Sequence, residues 1–327
     1  MTKLPDIYFL PVWGKLYQEY DQGEAYVFEF KNESGHVYHQ FVKRVVPDKI
    51  NGIVYYDIVS NNGFNGPIVL TVDSAKKDIF LAEYDTAFQQ YCMDNNIVAE
   101  YVKFNPWLKN HLDFEKIYIT KYNNYTLYTD LTVSDFFKEE FCSKIRNQIR
   151  KSIKNGVHIE FDFAGSSINE FNRLYKITIK KNNVSKHFLF DISFLSKTFK
   201  ILENRQFIIN AIFEGKYISS AIFLNYGDYL HYHLCANDTQ YYPLNANSLI
   251  LYEACNWAQN NGKKQIHLGG AFSNELFAFK KQFTKNGICD YYVGTKIRNK
   301  VIYDDLVNLK LKNGKINNRS FFPLYRS

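Results

Sequence analysis

Apolar positions along this chain change their spacing several times, and each change marks an element. Residues 1–20 read as helical after an extended lead-in. Over 24–46 the period is two. Tyr26, Phe28 and Phe30 share one strand face, Ala25, Val27 and Glu29 the other, and Asn32-Glu33-Ser34-Gly35 turns the chain into a second strand from Tyr38 to Val46. A further strand, Ile53 to Val59, runs into the loop Asn61-Asn62-Gly63-Phe64-Asn65-Gly66-Pro67. Phe80, Tyr84, Phe88 and Tyr91 then recur at spacings of four, four and three, which predicts an amphipathic helix over 78–95. A strand from Val98 to Phe104 closes at Asn105-Pro106.

The second half opens with Ser134 as N-cap of a long helix that runs to Asn155-Gly156, where Gly156 suits a C-terminal cap. Its later part is basic: Lys144, Arg146, Arg150, Lys151 and Lys154. The pattern then predicts a strand at 157–163, helices near 168–180 and 193–202, and strands near 205–213, 217–226 and 228–235. Glu214-Gly215-Lys216 and Tyr226-Gly227-Asp228 are the tight turns. A helix at 246–260 precedes the strand Ile266-His267-Leu268, a Gly269-Gly270 turn and a short helix carrying Phe277, Phe279, Lys280 and Phe283. The tail from 301 is expected to hold a strand or two and a loose basic end. Mixed strands and helices in two similar series predict an α/β fold (α+β mixed) of two lobes. The lobes span 1–133 and 134–300, and 301–327 packs back on the first.

Bulk properties narrow the function only slightly. A net charge of +7 favours an anionic partner, a phosphate-bearing cofactor or RNA, with a solvated basic face as the alternative. Five widely spaced cysteines without a C-x-x-C pair argue against a disulfide framework or a structural zinc, and for a reducing, cytoplasmic setting. No apolar run is long enough to span a bilayer, and Asp6, Pro5 and Pro11 break any signal-peptide pattern at the start. There is no G-x-x-x-x-G-K-S/T loop and no G-x-S-x-G elbow, so nucleotide hydrolysis and serine-hydrolase chemistry fit poorly.

Several runs in a fixed order carry a family resemblance. They are Phe41-Val42-Lys43-Arg44, Tyr55-Tyr56-Asp57-Ile58 leading to Asn62-Gly63-Phe64-Asn65-Gly66-Pro67, and Glu100-Tyr101-Val102-Lys103-Phe104-Asn105-Pro106. Arg146 to Val157 follows, then Leu230-His231-Tyr232-His233-Leu234, the run from Leu244 to Glu253, and His267-Leu268-Gly269-Gly270 with Leu276-Phe277-Ala278-Phe279-Lys280. Together these resemble the FemAB-like branch of the GNAT acyltransferases, which includes peptidoglycan-bridge aminoacyltransferases. The resemblance covers most of the chain. It implies two GNAT-like lobes, each a mixed, mostly antiparallel sheet with flanking helices, and a cleft between them for an acceptor and an acyl donor. It also implies transfer of an aminoacyl or acetyl group to an amine of a cell-envelope glycan or peptidoglycan precursor. No cofactor would be tightly bound, and the donor would be acyl-CoA or aminoacyl-tRNA. Partners would be a nucleotide- or lipid-linked precursor, tRNA and, peripherally, the membrane surface. The long helical arm of some members is missing, and so is the usual GNAT R/Q-x-x-G-x-G/A pyrophosphate loop.

Within that resemblance, Lys280 is the candidate stabiliser of the tetrahedral oxyanion and Phe279 shapes the donor pocket; the alternative is a surface lysine on an amphipathic helix. Arg44, Asp57 and Lys181 match polar positions of the acceptor cleft. Arg44 would pair with a diphosphate or be a sheet-edge charge, and Asp57 would serve there or be a buried structural carboxylate. His231 and His233, two apart on a strand, should face the same way and contact the acceptor or fill the core, with one ring as general base a further option, while Tyr232 packs on the other side. No third ligand accompanies them, so no metal is expected. Gly269 and Gly270 allow close backbone approach to a phosphate or carbonyl, although Ser273-Asn274 suffices to cap the next helix. Asn105 stands where bridge-forming members carry an aspartate. That substitution motivates a second reading, a catalytically degenerate GNAT-fold module that binds RNA or envelope precursors.

Overall fold

In the computed structural model, residues 3–182, 189–271, 273–312, 314 and 316–327 are described. The N-terminal segment is less helical than its composition suggests. Asp6 caps a 3-10 turn at Ile7–Phe9 by accepting the Tyr8 N–H at 3.1 Å, and Pro11, with its fixed φ, starts the short helix α1 (Pro11–Tyr17). Strands β1 (Glu24–Asn32) and β2 (Gly35–Val45) pair antiparallel as the alternation requires, Tyr26 opposite Phe41 and Asn32 opposite Gly35. β3 (Tyr56–Val59) is shorter than predicted. β4 (Gly66–Val72), which the apolar pattern does not reveal, emerges from the glycine loop at Gly66, whose φ of +72° suits glycine. Helix α2 (Lys77–Asp94) buries Phe80, Leu81, Tyr84, Phe88 and Cys92 on one face, as the spacing predicts. β5 (Ile97–Lys103), the turn helix α3 (His111–Phe114) and β6 (Ile119–Asp130) follow.

The single helix expected from Ser134 to Asn155 is two helices, α4 (Phe136–Glu139) and α5 (Ser143–Lys154). Asp135, not Ser134, is the cap, accepting from Lys138 N at 3.1 Å, while Glu139 accepts from the Ser134 hydroxyl and the Asp135 N–H. Between them the chain turns so that Phe136 and Phe141 both enter one core, and Cys142 N donates to Gln282 O at 2.9 Å. Then come β7 (His158–Asp162), α6 (Ile168–Asn182), α7 (Ile192–Leu202), β8 (Gln206–Phe213), β9 (Lys216–Tyr226) and β10 (Tyr229–Asn237). After them lie α8 (Ala246–Asn260), β11 (Gln265–Gly270), α9 (Asn274–Lys281) and β12 (Ile288–Ile297). The expected strand after 301 is instead helix α10 (Lys300–Lys312), because Tyr303 and Leu306, three apart, bury together. Asn313 and Lys315 of the basic tail lie outside the described residues.

The chain divides into two compact units, Met1–Asn124 with Asp290–Ser327, and Tyr125–Cys289. The changes of unit fall inside β6 and β12, not in the loops near 133 and 300. In the first unit the strand order is β1-β2-β3-β5-β12, with β4 also on β2; only β3–β5 is parallel. In the second it is β6-β11-β10-β9-β8-β7, with only β10–β11 parallel, a pairing that needs the α8 crossover. Each unit is thus a mixed, mostly antiparallel sheet with flanking helices. The first is held by an aromatic core between α2 and β1–β2 (Phe28 and Phe88 rings 4.9 Å apart). The second packs α5 and α8 on its sheet through Ile145, Ile149, Leu249, Ile250, Ala254 and Ala258.

Two buried charge networks order the first unit. Arg298, just after β12, ion-pairs with Glu100 of β5 and with Asp85 of α2 (2.6 Å), and its guanidinium lies over the Phe88 ring. Burial pushes the Glu100 carboxyl up against the opposing pull of Arg298 and the Tyr118 hydroxyl. Near the C-terminus, Arg326 ion-pairs with Asp57 of β3 and donates to Val45 O at 2.6 Å, while Tyr325 is buried beside them.

A candidate acyl-transfer site in the second unit

The second unit carries an open cavity of about 560 Å³ lined by residues of β10, the start of α8 and the end of α9, among others. Lys280 and Phe279 lie on it. Ser273 caps α9 by accepting from Leu276 N at 3.2 Å, and the helix carries Lys280 inward until only 7% of it is exposed. The Lys280 ammonium donates to Gly270 O at 2.6 Å. Burial pulls its pKa down to about 8, partly opposed by the neighbouring Cys235. Gly269 sits at φ +74°, and a Cβ there would meet Lys280 Nζ at 3.5 Å, so the glycine pair is the surface against which the lysine is placed. An ammonium has three N–H bonds, and the carbonyl uses one. The rest can serve a charge that develops in the cavity.

The two strand histidines separate. A β-bulge between Tyr232 and Leu234 leaves His233 as the extra residue, which breaks the period of two that would put both rings on one face. His233 lines the cavity, and so does Tyr232, which the plain alternation would send to the opposite side. His231 instead stacks on His267 of β11, ring centroids 5.2 Å apart. Burial, followed by the neighbouring His231, holds His233 far below an ordinary imidazole, at about 3. His233 is therefore neutral across the physiological range. Lys181 stands with its ammonium 4.1 Å from the ring centroid of Tyr242, a cavity-lining residue.

The first-unit candidates serve the fold more visibly than a ligand. Arg44 Nε ion-pairs with Asp57 Oδ1 at 2.9 Å, on strands β2 and β3 inside the sheet, so it is not an edge charge. Asp57 is buried and shared with Arg326, the structural role allowed for it. Asn105 is fully buried. Its Nδ2 donates to Phe64 O at 3.2 Å and its Oδ1 accepts from Leu108 N at 3.0 Å, so its side chain builds the turn after β5.

Sequence reasoning missed Asn247, Cys235, Gln148 and Gln282, all on the cavity wall. Asn247 lies in the quoted run from Leu244 to Glu253, but nothing in its spacing marks it as a site residue. The α8 N-terminus brings it there: Asn245, at φ +55°, makes no side-chain cap and turns the chain so that Ala246, Asn247 and Ser248 face the cavity.

The architecture around Lys280 has known counterparts. Residues 141–281 match the acetyltransferase (GNAT) domain model. The second unit contains a GNAT domain. The fold superposes on the crystal structure of FemX with a TM-score of 0.69 at 16% identity, covering 91% of this chain and 94% of that one. The C-terminal domain of a putative lysylphosphatidylglycerol synthetase from Agrobacterium fabrum follows at TM-score 0.54 and 14% identity, with 84% and 85% covered. A tandem GNAT protein from the clavulanic acid biosynthesis pathway gives 0.50 at 8% identity, with 84% of each chain covered. No curated protein matches the sequence. The chain therefore has the FemX-type, two-lobed GNAT fold. Among the described residues no helix is long and apolar enough to cross a membrane.

Proposed function

We propose that this protein is an N-acyltransferase that passes an acyl group, aminoacyl or acetyl, to an amine of a cell-envelope glycan or peptidoglycan precursor in the cytoplasm. The observation that carries the reading is the buried Lys280 ammonium, oriented by Gly270 O on the wall of a cavity large enough for an acyl donor. The neutral amine attacks the donor carbonyl carbon, and Lys280 donates to the oxyanion that forms. As the intermediate collapses, the C–N bond remains and the C–S or C–O bond to the donor breaks. The proton lost by the amine ends on the departing thiol or ribose hydroxyl. Phe279 closes the cavity beside the reacting carbonyl and limits water, which would otherwise compete with the amine.

The first turn of α8 supports a phosphate-bearing donor, because unspent helix N–H groups attract anions. FemX and the lysylphosphatidylglycerol synthetase, as structural relatives, make an envelope precursor the favoured acceptor. Lys181, whose ammonium lies over the ring of the cavity-lining Tyr242, is the group we assign to its anionic part. The binding-only reading rested on Asn105, and that residue is occupied in a turn. The test is incubation with acetyl-CoA or alanyl-tRNA and an amine-bearing muropeptide precursor, followed by mass spectrometry. A mass gain lost in Lys280→Met supports the assignment; full transfer by Lys280→Met sinks it.

A further inference from the structure

One wall of the cavity carries a chain of hydrogen bonds whose direction can be followed. Ser219 Oγ donates to Asn237 Oδ1 at 2.7 Å, and Asn237 Nδ2 donates to Cys235 Sγ at 3.0 Å. The Cys235 thiol in turn donates to Asn247 Oδ1 at 3.5 Å, and the Tyr232 hydroxyl donates to the same oxygen at 2.9 Å. Because the sulfur accepts from Asn237, its own proton is left for Asn247. Two donors on Oδ1 select one of the two possible flips of the amide. The Asn247 Nδ2 group therefore carries its two N–H bonds away from that network, on the cavity side, and it bonds to none of the described residues. A donor group thus remains unspent, held by the protein around it.

We propose that Asn247 is a binding residue for the acyl donor, giving its side-chain N–H bonds to a carbonyl oxygen of the donor. The ligand class is an acyl donor that bears an amide- or ester-type carbonyl. The inference rests on the cavity being the acyl-donor site.

Asn247→Asp separates the two ends of the amide. Its carboxylate still accepts from Tyr232 and Cys235 and suits the first turn of a helix, so the fold is kept, while both N–H donors are lost. With acetyl-CoA and alanyl-tRNA as donors in the transfer assay, kcat/KM of Asn247→Asp is expected to fall roughly 10- to 100-fold, chiefly through KM. Its melting temperature should stay at the wild-type value. Tyr232→Phe, which loosens the flip without removing the N–H bonds, should lose only a few-fold. In 15N spectra the Asn247 side-chain amide should shift when the donor used by the wild type is added. An Asn247→Asp enzyme within about twofold of wild type overturns the inference and leaves the acyltransferase reading standing. A wild-type protein inert with both donors overturns that reading and this inference with it.

Discussion

Lys280 Nζ reaches back from helix α9 to donate to the carbonyl of Gly270 at the end of β11, at 2.6 Å. This one bond places a buried cation on the wall of the cavity and ties the helix that carries it to the sheet. It also makes the lysine a cost to the fold. A pKa drawn down to about 8 by burial corresponds to a net penalty on the order of 3 kcal/mol against the charged form.

Lys280→Met should therefore lose transfer activity by about a hundredfold or more while melting a few degrees higher at neutral pH. The folded pKa lies below that of an unfolded lysine. Between about 8 and the unfolded value the folded protein has already shed a proton that the unfolded chain keeps, so wild-type stability rises with pH there. The stability gap between the two proteins should accordingly close as pH rises through that window. Calorimetry at pH 7 and pH 10 measures both points, and a variant less stable than wild type at pH 7 contradicts the account.

Gly269→Ala tests the surface under the lysine. The added Cβ would only touch Lys280 Nζ, at 3.5 Å, so the damage comes from holding alanine at φ +74°. A loss of about 1–2 kcal/mol in denaturant titration is expected, with reduced kcat from a displaced lysine. Wild-type stability in this variant would mean that the turn relaxes and does not fix Lys280.

Much of this site can be read in the sequence, and what cannot has a physical cause. Helix α2 and helix α8 announce themselves by apolar spacing, since one face of each must meet a sheet. Phe279-Lys280 is found by its resemblance and its order after Gly269-Gly270. β6 is missed because Lys121, Asn123 and Asn124 interrupt any alternation, and α10 is misread because only Tyr303 and Leu306 bury. The separation of His231 from His233 depends on one extra residue in β10, which no pattern of residue types displays. Asp57 meets Arg326 across almost the whole chain, so neither residue hints at the other.

Asp57→Asn should loosen the C-terminal segment. The change leaves Arg44 and Arg326 facing a neutral amide inside a buried site, and breaking such a pair typically costs about 3–5 kcal/mol. Hydrogen exchange should rise at Leu324–Arg326 before it rises in α2. Unchanged protection of Tyr325 would show that burial of its ring alone holds the tail.

Arg298→Met should be among the most damaging single changes in the first unit, by about 3–5 kcal/mol, because the buried Glu100 loses its ion-pair partner. The double change Arg298→Met with Glu100→Gln should recover a large part of that loss. The recovery, read as a coupling energy in a double-mutant cycle, separates pairing from packing on Phe88. No recovery would assign the loss to packing.

His233 offers the clearest test of how the cavity is kept. Its pKa of about 3, set first by burial and then by His231, means that its ring stays neutral from pH 5 to pH 9. An NMR titration should show its ring protons unmoved through that range. In the transfer assay, His233→Gln should leave the position of every limb of the pH profile unchanged, because the replacement keeps a neutral polar group. The alkaline fall should instead follow Lys280, with a midpoint near its pKa of about 8, as the ammonium that serves the oxyanion loses its proton. A limb between pH 6 and 7 that disappears in His233→Gln would give the histidine an acid–base role and overturn the mechanism proposed for this cavity.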